Sequence, residues 1–125
     1  MHDTTLPRDA IHAPDGSEIR ELVAGGRASM VHCTLPTGGV SLAVRHRTVE
    51  ELWFVMSGQG AVWRKLEGEE AVIAVGPGSA LDIPLGACFQ FRNTGDEPLV
   101  ILIATMPPWP GAAEAPRVAD HWPAG

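Results

Sequence analysis

The sequence predicts an all-β protein, a jelly-roll barrel of two antiparallel sheets with no substantial helix. The 125 residues include 14 glycines and 11 prolines, which interrupt long helices. Between them lie short apolar runs rich in β-branched and aromatic residues, at the regular spacing typical of a sandwich or barrel. The hydrophobic content of 45% suits one packed core, so we expect a single globular domain.

The predicted strands follow one another with a turn signal between most neighbours. They cover residues 27–35, 41–45, 52–56, 61–66, 71–75, 80–83, 88–92 and 99–106. Glycine or proline supplies a positive or preset φ in the intervening turns at 38–39, 57–60, 76–78, 84–86 and 93–96. We therefore assign residues 25–107 to the barrel.

The two ends of the chain are harder to assign to the barrel. Residues 15–23 are compatible with a short helix or a strand, so we interpret 1–24 as an N-terminal arm or a first strand. Prolines, which cannot donate ladder hydrogen bonds, predict that the sheet stops near Met106 and that 108–125 form a Pro-rich C-terminal arm. Trp109 and Trp122 predict that this arm packs on its own barrel or on a second subunit.

Charge and composition exclude several classes of partner. Nine basic residues against fifteen acidic ones give a net charge of -6, so we expect no nucleic-acid binding. No apolar run approaches the roughly 20 residues that cross a bilayer, and the first residues are polar. We expect a cytoplasmic protein without a membrane partner, in which Cys33 and Cys88 are free thiols.

Two segments carry a resemblance to a known family. Residues 38–58, GGVSLAVRHRTVEELWFVMSG, resemble the first motif of the cupin superfamily, G-x5-H-x-H-x4-E-x6-G. Residues 78–93, GSALDIPLGACFQFRN, resemble the second motif, G-x5-P-x-G-x2-H-x3-N. Every glycine, the proline and the asparagine fall in register. The resemblance implies a small single-domain cupin, a jelly-roll barrel.

The same resemblance implies a degraded metal site. The family's three histidines and one glutamate fall at Val44, His46, Glu51 and Phe89, of which only His46 and Glu51 can ligate a metal. Catalytic transition-metal sites normally have at least three protein ligands. We therefore expect no cofactor or a weakly bound divalent transition metal. A further ligand would come from His32 or Cys33 before the first motif, from Cys88 or Gln90 within the second, or from a bound substrate.

His46 and Glu51 are also candidate acid and base groups. A hydrogen bond between them would orient the imidazole and raise its basicity. The alternatives are a buried histidine satisfied by some other hydrogen bond and a carboxylate that reaches solvent. Alternation predicts that the aromatic and aliphatic side chains around this pair face the barrel interior, as plain core or as a ligand pocket. That set is Val44, Trp53, Val55, Trp63, Phe89 and Phe91.

These features favour a protein that binds a small organic ligand in an apolar barrel pocket. One alternative is a metal-free acid/base enzyme of the isomerase, cyclase or lyase type that uses His46 and Glu51. Another is a metal-dependent oxygenase or isomerase with a non-standard ligand set. Exposed edge strands and the two tryptophans of the C-terminal arm predict a homodimer in each case.

Overall fold

The protein is described here by a computed structural model that covers residues 1–124. Its strands are β1 (Ile11–His12), β2 (Glu18–Ala24), β3 (Ser29–Leu35), β4 (Val44–Arg45), β5 (Glu50–Ser57), β6 (Gly60–Leu66), β7 (Glu69–Val75), β8 (Ala80–Ile83), β9 (Cys88–Asn93) and β10 (Leu99–Met106). They form a six-stranded antiparallel sheet, β1-β2-β3-β10-β5-β8, and a four-stranded one, β4-β9-β6-β7. The predicted all-β jelly roll is confirmed. Within residues 1–124 the one helical segment is a 3-10 turn at Ala112–Glu114.

Residues near the N-terminus extend the larger sheet. The segment that was compatible with helix or strand forms β2, which pairs with β3 through Glu18 opposite Thr34 and Ile19 opposite Cys33. β1 then pairs with β2. The six-stranded sheet thus continues beyond β3 and provides one wall of the space between the sheets.

The core lies between the two sheets, where alternate side chains of each strand point inward. β10 shows the alternation along its whole length, with Leu99, Ile101 and Ile103 buried. On the facing sheet, Phe89 and Phe91 of β9 are also buried, and Trp53 of β5 packs edge-on against both rings at 5.7 and 5.1 Å between centroids. These contacts fix the spacing of the two sheets.

One turn has room only for glycine. Gly58, between β5 and β6, has a φ of +85°, and a Cβ at this position would lie 2.4 Å from the carbonyl oxygen of Pro98. Both the left-handed backbone and the close approach of the loop before β10 therefore exclude larger residues. This glycine is the last fixed position of the first motif.

The C-terminal arm returns across the barrel beside β4. The backbone amide of Arg45 donates to the carbonyl of Pro116 at 3.1 Å, and the amide of Val118 donates to that of Ala43 at 3.0 Å. The buried Glu114 carboxylate accepts hydrogen bonds from the Thr48 amide and hydroxyl and from the Val49 amide. The arm therefore packs on its own barrel and anchors the loop that carries His46.

Further along, the same arm covers the outer face of the four-stranded sheet. Gln90 is fully buried there because its side-chain amide donates to the carbonyl of Trp122 and accepts from the amides of His121 and Trp122. The imidazole of His121 stacks on Trp63 at 5.2 Å. Trp109 packs against His46 at 5.2 Å between ring centroids. Both tryptophans of the arm therefore pack within the chain.

The thiols of Cys33 and Cys88 are free, as predicted. Among the described residues, no helix is long and apolar enough to cross a membrane.

Candidate functional site

A cavity of about 470 Å³ lies between the sheets at one end of the barrel. Its volume falls in the range of small-molecule sites. β2 and β3 form one wall, the aromatic residues of β5 and β9 form the floor, and the C-terminal arm closes part of the mouth. The predicted site residues that line it are Val44, His46, Glu51, Trp53, Phe89 and Phe91.

Two predicted pocket residues lie elsewhere. Val55 is fully buried in the core but does not line the cavity. The assignment of Trp63 to the interior is wrong, because Val62 is the inward residue of β6 and pairs with Phe91. Trp63 therefore points to the outer face, where its indole donates to Glu70 Oε1 at 2.8 Å. Its low exposure comes from the C-terminal arm, which strand alternation alone does not reveal.

Strand register also decides between the two candidate extra ligands on β3. Cys33 faces inward and lines the cavity. Its neighbour His32 points to the opposite face of the sheet, beside Arg20 on β2. Burial raises the pKa of the Cys33 thiol well above its ordinary value, so Cys33 is present as a neutral thiol rather than a thiolate.

His46 and Glu51 lie together in the cavity wall without the predicted hydrogen bond. His46 Nδ1 is 4.0 Å from Glu51 Oε2 and has no hydrogen-bond partner among residues 1–124. Glu51 Oε1 instead accepts a hydrogen bond of 2.9 Å from the indole nitrogen of Trp53. The imidazole is held by edge contacts with the rings of Phe89 and Trp109, at 5.0 and 5.2 Å. Packing, rather than a carboxylate, orients His46.

Burial changes the protonation of both groups. It raises the pKa of Glu51 to about 7, an effect that the Trp53 hydrogen bond opposes and the charge of Asp15 reinforces. Burial lowers the pKa of His46 to about 4, opposed by the charge of Glu114. Near neutral pH the imidazole is therefore neutral, while the carboxyl exchanges its proton readily. The pair holds one mobile proton, on the carboxyl rather than on the histidine.

The residues present do not fit the metal site that the motif pattern implies. Val44 and Phe89 occupy two of the four ligand positions and offer no lone pair, and Cys33 remains protonated. Within residues 1–124, no group of three or more histidine, cysteine, aspartate or glutamate side chains is arranged to hold a metal ion. His46 and Glu51 alone provide fewer ligands than a tightly bound transition metal needs.

Several lining residues were not predicted from the sequence. Thr105 is fully buried, and its hydroxyl hydrogen-bonds the hydroxyl of Ser29, which also accepts from the amide of Trp109 at 3.1 Å. Asp15 accepts two hydrogen bonds from Ser17, at 2.9 Å from its amide and 2.6 Å from its hydroxyl. A threonine at an inward position of an apolar strand is a signal that the sequence did contain. Trp109 predicted only that the arm packs on its own barrel or on a second subunit, and Asp15 lies outside regular alternation, so neither was placed at the cavity.

The fold and the cavity define a single-domain jelly-roll barrel with a ligand-sized interior. The chain belongs to the cupin domain family, whose model matches residues 31–105. It is 32% identical over 100 residues to the uncharacterized protein MJ1618 of Methanocaldococcus jannaschii, a match that covers 76% of this chain and 77% of that protein. The family named by the sequence motifs is confirmed.

Solved structures show the same fold in proteins of different function. Protein BH2720 from Bacillus halodurans superimposes with a TM-score of 0.67 at 24% identity, over 73% of this chain and 70% of that one. The capsular polysaccharide assembling protein CapF of Staphylococcus aureus gives 0.74 at 18%, over 94% and 35%. Bacillus subtilis oxalate decarboxylase, which has Mn(II) centres, gives 0.67 at 18%, over 78% and 27%. At these identities the likeness concerns the fold alone.

Proposed function

We propose that this cupin binds a small organic ligand in the cavity beside His46 and Glu51. The observation that carries the proposal is a hollow of about 470 Å³ in the barrel interior, with few polar groups among aromatic walls. Protein interiors are otherwise close-packed, and sites of this composition are typical of small-molecule binding.

The polar groups of the cavity support the proposal as well. His46 is only 4% exposed, and its Nδ1 has no partner in the described chain. Leaving a buried polar atom unsatisfied costs about 1–3 kcal/mol, a cost typical of sites that trade stability for function. Glu51 Oε2, which accepts no hydrogen bond from the protein, is the atom of the pair that a ligand can contact.

A thermal-shift screen of small organic compounds, with and without a chelator, tests the proposal. We expect at least one organic compound to raise the melting temperature and the chelator to have no effect. Binding to the folded state alone raises stability with ligand concentration. A chelator that lowers the melting temperature, together with no organic hit, would contradict the proposal and favour a metal enzyme. Elemental analysis of untagged wild-type and His46→Ala protein then detects any bound metal.

A matched pair of variants locates the site of any hit. Ala112 lies at the cavity mouth, whereas the adjacent Ala113 does not line the cavity. Ala112→Trp is expected to obstruct the opening and weaken binding, and Ala113→Trp is expected to bind as wild type does. Equal binding by the two variants would place the ligand elsewhere on the protein.

A metal-free acid/base enzyme is the second candidate, favoured by the opposite pKa shifts of two groups on one cavity wall. Near pH 7, Glu51, with a pKa of about 7, can donate a proton, and neutral His46, with a pKa of about 4, can accept one. Both groups line the cavity, so both can reach a ligand bound there. The chemistry would be transfer of a proton between two atoms of one substrate.

Proton transfer can be tested on any compound that binds. In D₂O, proton NMR would show loss of a ligand C–H signal as deuterium replaces it. Glu51→Gln is expected to slow this exchange, while Glu50→Gln, a change at the exposed neighbouring residue, is expected to have no effect. A ligand that binds tightly but incorporates no deuterium would contradict the acid/base function and support binding alone.

The homodimer and the cytoplasmic location remain predictions. The arm tryptophans support a dimer less than expected, since both pack within the chain. The outer face of β5 offers a different surface, because Leu52, Phe54 and Met56 are all about half exposed on one side of the strand. Sedimentation of wild-type and Phe54→Glu protein would test it, with dissociation of the variant as the expected result.

A further inference from the structure

Apart from two histidines, the charged groups that line the cavity are acidic. Asp15, Glu21 and Glu51 contribute carboxyl groups. In the part of the chain that the structure describes, no lysine or arginine lines the cavity. The nine basic residues lie elsewhere, at Arg8, Arg20, Arg27, Arg45, Arg47, Arg64, Lys65, Arg92 and Arg117. Besides His12 and His46, the cavity therefore offers no basic side chain to an anionic ligand.

Two carboxylate oxygens in the wall can accept a hydrogen bond from a ligand. Glu51 uses Oε1 to accept from Trp53, which leaves Oε2 free. Asp15 uses Oδ1 for both bonds from Ser17, which leaves Oδ2 free. An ammonium group has three N–H donors and no acceptor, which matches such a set.

Four aromatic side chains line the cavity among aliphatic ones. Trp53, Phe89, Phe91 and Trp109 all line the cavity. The faces of such rings carry partial negative charge and attract organic cations, tryptophan most strongly. Carboxylates and aromatic rings together are therefore suited to a cation with an apolar body.

We infer that the cavity selects small organic cations, such as a protonated amine attached to an apolar group, over neutral and anionic molecules of the same shape. The inference rests on the proposed function, since it names the ligand class of that same cavity. Repulsion explains the selection as much as attraction does. In a partly buried site of low dielectric, an anion beside carboxylates is strongly disfavoured, and a cation favours their ionised form.

Three probes of one size test this selectivity. Benzylamine, benzyl alcohol and benzoate share a ring and differ in charge at neutral pH. Calorimetry in phosphate buffer, which contains no competing amine, is expected to show benzylamine binding at least about tenfold more tightly than benzyl alcohol, as one charge-assisted hydrogen bond would give. Benzoate is expected to bind most weakly.

Matched variants assign the selectivity to the carboxyl groups. Glu51→Gln and Asp15→Asn each remove an ionisable carboxyl group from the wall with little change of shape, and each is expected to reduce the preference for benzylamine over benzyl alcohol several-fold. Glu50→Gln removes the same charge from the exposed neighbouring residue and is expected to leave the preference unchanged. An equal effect of Glu50→Gln and Glu51→Gln would overturn the inference in favour of a general effect of net charge.

The outcomes separate this inference from the proposal beneath it. Equal affinity for the three probes, or tighter binding of benzoate, overturns cation selectivity while ligand binding stands, provided that Ala112→Trp weakens it. If none of the probes binds at millimolar concentration, cation selectivity is overturned, and a hit for another compound class in the thermal-shift screen would still support the pocket. Failure of both experiments removes both proposals.

Discussion

The two halves of the barrel interior share some strands but differ in composition. One half, which we call the packed half, contains Leu35, Val55, Val62, Val75, Leu99 and Ile101, all buried and none lining the cavity. The other, the hollow half, contains His46, Glu51 and Thr105 among aromatic rings, around empty space. β5 and β10 pass through both halves, so neighbouring inward positions of one strand serve different purposes.

The difference separates the residues that stabilise the fold from the residues that can contact a ligand. Apolar side chains in the packed half stabilise the fold by leaving water and by close packing. Polar groups in the hollow half are buried with few partners, which is unfavourable for folding. Such a division is typical of proteins whose sites trade stability for function. It also predicts that substitutions in the two halves have opposite consequences.

The largest effect is expected in the packed half. Leu99→Ala removes a fully buried side chain and should lower the free energy of unfolding by about 2–5 kcal/mol. Urea denaturation measures it as a lower midpoint at an unchanged slope. Leu52→Ala, at a position 52% exposed, is the control and should change stability by less than about 0.5 kcal/mol. Similar losses in both variants would contradict the division.

The second largest effect is expected from the titration of Glu51 in the hollow half. The folded-state pKa of Glu51, about 7, lies above its ordinary value of 4.5, so the folded protein retains a proton that the unfolded chain releases between these values. The contribution of Glu51 to the free energy of unfolding of the wild type is therefore lost as pH rises from 4.5 to 7. Glu51→Gln does not titrate, and its stability relative to wild type should increase by about 3 kcal/mol over that window.

The contribution of His46 to stability is expected to depend on pH with the opposite sign. Its folded-state pKa of about 4 lies below the ordinary 6.5, so folding is disfavoured as pH falls through this interval. The advantage of His46→Leu over wild type should therefore grow toward low pH, whereas that of Glu51→Gln grows toward high pH. Urea denaturation at several pH values measures both, and parallel curves for the variants and the wild type would refute these pKa shifts.

An intermediate effect is expected where the C-terminal arm closes the hollow half. Glu114→Ala removes the carboxylate that accepts from Thr48 and Val49, and should cost about 1–3 kcal/mol. Hydrogen exchange should accelerate at the amide of Arg45, which donates to the arm, and at the amide of Val118, which belongs to the arm. Glu50→Ala, at an exposed position, is the control. Unchanged exchange at these amides would show that the arm is held by other contacts.

The smallest effect is expected at the centre of the hollow half. His46→Leu replaces a buried imidazole whose Nδ1 is unpaired in the described chain, so near neutral pH it should change the free energy of unfolding by less than about 1 kcal/mol, or increase it. Ligand binding should nevertheless be lost. A loss of stability as large as that of Leu99→Ala would show that His46 is an ordinary part of the core.

Most strand positions followed from the sequence because turns and alternation are local. Residues 80–83 and 99–106 were predicted with the bounds that the structure has. The motif register also brought His46, Glu51, Phe89 and Val44 to one cavity. Trp63 was assigned to the wrong face because β6 is buried on both sides, by the core on the inside and by the arm on the outside. Its apolar and polar residues therefore do not alternate in a way that identifies the inward face.

The amino-acid sequence alone determined the cupin barrel, the positions of its turns and the apolar residues Val44 and Phe89 at two positions of its motifs, since each depends on residue type at a fixed spacing. Only the tertiary structure decided that His46 and Glu51 stand 4.0 Å apart without a hydrogen bond, that Asp15 shares their cavity, and that Trp109 packs against the imidazole. These contacts join residues far apart in the chain, through an arm without regular structure. Their geometry depends on how the sheets and the arm pack, which no local pattern encodes.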